Sequence, residues 1–74
     1  MYQACLYSSN PVRGGYWTTL ASGATRDSCL RRLSIFLAKQ PLHHWGIRKE
    51  SIIKLRTPQD GFTETLSIQP KDTV

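Results

Sequence analysis

Four side chains in this 74-residue sequence could carry nucleophilic or metal chemistry: Cys5, Cys29, His43 and His44. A cysteine nucleophile needs a neighbouring imidazole and an electropositive, partly exposed setting that favours thiolate. Cys5 falls within an apolar run and Cys29 on the apolar side of a helical pattern. Both therefore read as small buried hydrophobes in a reducing compartment. Two cysteines are also too few for a disulfide framework, and their spacing matches no zinc pattern. Adjacent histidines diverge in most backbone conformations, and no His pair at i, i+4 and no Cys-x-x-Cys completes a ligand set. One histidine is expected to bond backbone near a helix C-terminus, the other to lie in solvent. The residues point to neither a metal nor a cofactor.

The remaining polar chemistry is equally sparse. There are five acidic residues. Asp60 belongs to a turn and Asp72 to the C-terminal end, while Glu64 interrupts an apolar strand face. Glu64 is expected to pair with a base at a sheet edge rather than act as a general acid. Arg13-Gly14-Gly15 is too short for a phosphate loop, and no helix opens directly behind it. The expectation is a protein that is not an enzyme.

These side chains must be placed by elements whose signals are clearer. Residues 2–8 are apolar and aromatic and end at Ser8-Ser9-Asn10-Pro11, a strand followed by a turn. Residues 16–21, from Tyr16-Trp17 to Ala21, supply a second strand, giving an N-terminal hairpin with Arg13 near its tip. Thr25 suits a helix N-cap, and Asp27 falls in the first turn, where the macrodipole favours an anion. The helix is expected to run to about Lys39, before Pro41. At 100° per residue, Cys29, Leu30, Leu33, Phe36, Leu37 and Gln40 form its core stripe.

Residues 40–50 show no clear period and read as a crossover, with Trp45 and Ile47 tucked against the core. Residues 51–57 read as a third strand, Pro58 to Gly61 as a turn, and Phe62 to Gln69 as an alternating last strand. Phe62, Leu66 and Ile68 share its apolar face. The class is thus α+β: a single domain over residues 1–69 in ββαββ order, with residues 70–74 a short polar tail. A four-stranded sheet with the helix packed on one face is the natural solution. On topology alone this resembles a β-grasp arrangement, which would place the first and last strands parallel at the centre.

Two surfaces stand out on that scaffold. The outer helix face carries Arg31, Ile35 and Ala38, flanked by Arg32 and Lys39. Ile35 thus sits among three cations where a polar residue would be ordinary. Such a face can dock apolar contact beside arginine–carboxylate or arginine–phosphate bonds. Cover by residues 41–47, or ordinary scattered exposure, is the competing explanation. The second surface is the open side of the sheet, where Lys54 and Arg56 would lie beside aromatic residues. Arg13, Arg48 and Lys49 would extend a basic rim around it. Cations between aromatics can hold nucleic acid, a protein partner or a homodimer seam.

Ten Lys and Arg against five Asp and Glu give a formal charge of +5, favouring an anionic partner. The same charge is also ordinary for solubility. The N-terminus lacks the basic and apolar regions of a signal peptide, and no run is long enough to span a membrane, so a cytoplasmic location is expected. Two functions follow. The first is a protein-binding regulator or inhibitor that docks on a larger protein or nucleoprotein assembly. Stand-alone domains of this kind are common products of phages and mobile elements, and interference with host defence, as anti-CRISPR proteins practise it, is one instance. The second is direct binding of DNA or RNA, although no recognised nucleic-acid module is present.

Overall fold

The structure is a computed structural model that describes residues 1–59 and 61–71. Among these residues the elements follow one another as β1 (Tyr2–Asn10), β2 (Gly14–Gly23), α1 (Arg26–Lys39), β3 (Trp45–Arg48), β4 (Ser51–Lys54) and β5 (Thr63–Pro70). Asp60 and residues 72–74 lie outside the described residues, and with them the expected roles of Asp60 and Asp72.

The N-terminal hairpin forms as its turn chemistry directs. The side chain of Asn10 accepts from the backbone N–H groups of Val12 at 2.8 Å and Arg13 at 3.3 Å, an Asx turn that reverses the chain. β1 and β2 then pair antiparallel from Asn10↔Gly14 to Tyr2↔Gly23. The register slips between Ala4 and Cys5, leaving Leu20 as an extra residue on β2. That bulge lets the successive residues Leu20 and Ala21 both pack against the core.

The helix begins where the sequence places it. Thr25 Oγ1 accepts from the Ser28 backbone N–H at 3.1 Å, and Ser28 Oγ accepts in return from the Thr25 N–H at 3.2 Å. This reciprocal cap satisfies two amides that no intrahelical carbonyl can reach. Cys29, Leu30 and Leu33 are the buried stripe, with Leu37 packed beside it. Phe36 is half-buried outside the core cluster and Gln40 is exposed, so the stripe is narrower than its wheel suggests. α1 lies closest to β2 at Gly23, where an added Cβ would come within 2.6 Å of the Cys29 backbone nitrogen. Only glycine lets strand and helix approach that closely.

The sheet itself corrects the expected architecture. Among the described residues there are five strands in two sheets, a three-stranded sheet of order β2-β1-β5 and a separate β3-β4 hairpin. β1 is central, and β5 pairs with it antiparallel, from Tyr2↔Pro70 to Ser9↔Thr63. The parallel central pair of a β-grasp arrangement is therefore absent, and one four-stranded sheet does not form. The physical reason lies in residues 45–54. They fold on themselves as Trp45↔Lys54 through Arg48↔Ser51, joined by Lys49 and Glu50 at φ of 50° and 62°. Two left-handed residues define the tight reversal that matches strand twist, normally signalled by Asn-Gly. Lys-Glu gives no such signal.

The core lies between the three-stranded sheet, α1 and this hairpin. Ala4, Leu6, Cys29, Leu33, Trp45 and Leu66 are its buried centre, with Ile47, Ile52 and Ile68 packed around them. Trp45 and Ile47 are tucked inward as expected. No helix among the described residues is long and apolar enough to cross a membrane.

Candidate interaction surface

α1 presents Arg31, Arg32, Ile35 and Lys39 to solvent, all four exposed. Ile35 is 51% exposed while Leu33 is fully buried, so the helix is oriented as its periodicity requires and residues 41–47 leave Ile35 open. The four cover adjacent arcs of one face rather than a single point. Arg32 turns toward the end of β2, with Nη1 donating to the Ser22 carbonyl at 3.4 Å. Arg31 turns the other way, into an open groove of about 330 Å³ lined also by Asp27, Leu30, Ser34, Ile47 and Glu50.

That groove joins α1 to the β3-β4 tip. Glu50 and Ile47 belong to the hairpin, whose Arg48 and Lys49 are exposed but do not line the groove. The groove itself mixes signs: Asp27 and Glu50 bring two carboxylates to Arg31. Among the described residues, the only ion pair involves none of these cations.

The remaining basic candidates are dispersed. Arg13 is exposed in the β1-β2 turn, and Arg56 is exposed beyond β4. Strand alternation places Lys54 on the same side of β4 as Ile52, so the side expected to be open is the one turned to the core. Ile52 packs on the core, whereas Leu55 is 57% exposed. Lys54 is itself exposed, with its Nζ 5.3 Å from the centroid of the Trp45 ring.

The open face of the three-stranded sheet is consequently free of charge. Cross-strand register puts Gln3, Cys5, Tyr7 and Ser9 of β1 there, opposite Ser67, Thr65 and Thr63 of β5 and Thr19 and Trp17 of β2. Tyr7 and Trp17 stack with ring centroids 4.9 Å apart and planes tilted by 42°. Cys5 is buried on this face, apart from the main cluster, and both cysteines are free. Burial raises the Cys29 thiol above its usual range, with its neighbours adding smaller effects, so the thiolate is disfavoured.

Sequence reasoning left the partners of one polar node unnamed. Glu64, expected to find a base at a sheet edge, does so on β5. His44 Nδ1 donates to its Oε1 at 3.0 Å, and Trp45 Nε1 donates to the same oxygen at 3.3 Å. The His44 side chain thus binds a carboxylate rather than backbone, while its carbonyl accepts from the Leu55 N–H at 2.7 Å. Beside it lies a shallow hollow of about 290 Å³ lined by His44, Pro58, Gln59, Phe62 and Glu64. A carboxylate holding an imidazole is two-thirds of a nucleophilic triad. No hydroxyl or thiol is hydrogen-bonded to His44 among the described residues, nor do three metal-ligating side chains gather there. The only warning in the sequence is a glutamate at an inward position of an alternating strand.

Comparison with protein-family models, with curated proteins and with solved structures finds no match.

Proposed function

We propose that the chain is a non-enzymatic binding module, a regulator or inhibitor that docks on a larger protein or nucleoprotein assembly through the outer face of α1. The observation that carries this reading is the exposure of Ile35 between Arg31, Arg32 and Lys39. Apolar contact flanked by guanidinium forks suits a partner surface with an apolar socket and a carboxylate rim. Anti-defence proteins of the anti-CRISPR kind belong to this class of activity.

A second reading is direct binding of DNA or RNA. It is favoured by the formal charge of +5 and by the exposed cations Arg31, Arg32 and Lys39 on one helix face. Asp27 and Glu50 weigh against it, because they interrupt the track that a phosphate backbone would follow. The protein partner is preferred for that reason.

Capture from a lysate with and without nuclease, followed by the Arg31→Glu, Arg32→Glu double variant, tests the choice. A discrete protein should remain bound after nuclease and be lost with the double variant, while the melting temperature hardly changes. Loss of every partner after nuclease, with affinity for bare duplex falling steeply with salt, would support nucleic-acid binding instead. Retained binding by the folded double variant would exclude the helix face.

A further inference from the structure

The two outer edges of the three-stranded sheet are treated differently. At the β5 edge, His44 and Trp45 reach Glu64, and the strand ends in Pro70, which has no amide to offer a neighbour. At the other edge, β2 runs for ten residues, Gly14–Gly23, without a charge or a proline. Its second half is covered by α1, with Gly23 buried, Arg32 on the Ser22 carbonyl and Cys29 Sγ 3.9 Å from the Ala21 carbonyl. Gly14 to Thr19 is exposed without a break. Natural sheets usually blunt such an edge with lysine, proline or a covering element, because its unpaired N–H and C=O groups template another strand.

The geometry points to a second copy of this chain as that strand. We propose a symmetric homodimer in which two β2 strands pair antiparallel, fusing two three-stranded sheets into one of six. A two-fold axis perpendicular to the sheet keeps each face on its own side, so a residue on the axis meets itself. Centring the axis on Trp17 sets Gly15 opposite Thr19 and Tyr16 opposite Thr18 of the second copy, which uses the whole uncovered stretch. Trp17, 57% exposed and already stacked on Tyr7, then meets its own counterpart on the charge-free face.

Charge permits this contact despite +5 on each chain. No cation lies on β2, and the nearest in sequence is Arg13. The two Arg13 residues would stand eight strand residues apart along the seam, roughly 27 Å at about 3.4 Å per residue. That exceeds the screening length of about 8 Å at physiological salt. Each Arg13 would instead lie opposite Ala21 of the second copy, near the Arg32 that bonds the Ser22 carbonyl, so the dimer should tighten as salt rises. An isologous β2–β2 seam closes on itself, so both β2 edges are used up at two copies.

Sedimentation equilibrium of the full chain, from low micromolar to several hundred micromolar, should show the mass doubling. Trp17→Lys, which sets like charges face to face, should remain monomeric over that range with an unchanged circular dichroism spectrum. Trp17→Cys should cross-link to a covalent dimer under mild oxidation, whereas the wild-type chain, with both thiols buried, should not. The cysteine variant also decides the matter if the lysine variant fails to fold. A wild-type mass that stays monomeric throughout overturns the proposal. So does a dimer in which Trp17→Cys fails to cross-link, since the seam must then lie elsewhere.

Discussion

At the scale of single residues, Glu64 holds two donors at once. One carboxylate oxygen serves both His44 and Trp45, and its side chain is only 15% exposed. Glu64→Ala should leave two partly buried donors without an acceptor, at a cost of about 1–3 kcal/mol. Glu64→Gln keeps one amide oxygen and should cost less. Chemical denaturation of the two variants checks both the size and the ranking. Cys29 makes a different prediction. Its folded-state thiol holds the proton more tightly than the unfolded chain does, because burial penalises the thiolate. That preference is fully present below the unfolded thiol's range and is lost as the pH rises past it. Alkylation of Cys29 should therefore be much slower in the native protein than in denaturant. Cys29→Ser should also flatten the alkaline fall in stability seen in a denaturation series against pH.

At the scale of elements, the β3-β4 hairpin is formed against its own turn sequence. Left-handed φ at Lys49 and Glu50 costs each residue on the order of 1 kcal/mol relative to residues that adopt it freely. The hairpin closes because Trp45, Ile47 and Ile52 gain burial on the shared core. Lys49→Asn with Glu50→Gly should therefore raise stability by about 1 kcal/mol, read as a higher denaturation midpoint with an unchanged slope. An unaltered or lowered midpoint would show that these side chains make compensating contacts. By contrast, α1 agrees with its sequence at every level. The Thr25 cap, Asp27 in the first turn, the leucine stripe and Lys39 in the last turn all point to one helix in one orientation.

At the scale of the whole molecule, binding and folding draw on separate surfaces. The helix face proposed for docking contributes no buried side chain, so reversing Arg31 and Arg32 should shift stability by no more than about 0.5 kcal/mol each. The β2 edge proposed for self-association meets the helix face at Arg32, which bonds the Ser22 carbonyl, but its test turns on Trp17, so either surface can fail its test without the other. What the sequence determined by itself was local and periodic: the first hairpin, the helix with its inward stripe and outward Ile35, and the last strand. Each is encoded by neighbours within a few residues, through Asn10, Thr25 and the alternation at Leu66 and Ile68, although Phe62, expected on the same face, precedes β5 and is 43% exposed. Only the tertiary structure decided that residues 45–54 form a hairpin of their own, that β5 runs antiparallel to β1, and that the open sheet face carries no cation. Strand partners are chosen by distant burial, which leaves no local period, and the Lys49-Glu50 turn is held by packing rather than by its own preference. The join between Glu64 and His44 is likewise visible only once the chain has brought residues twenty apart onto the same edge.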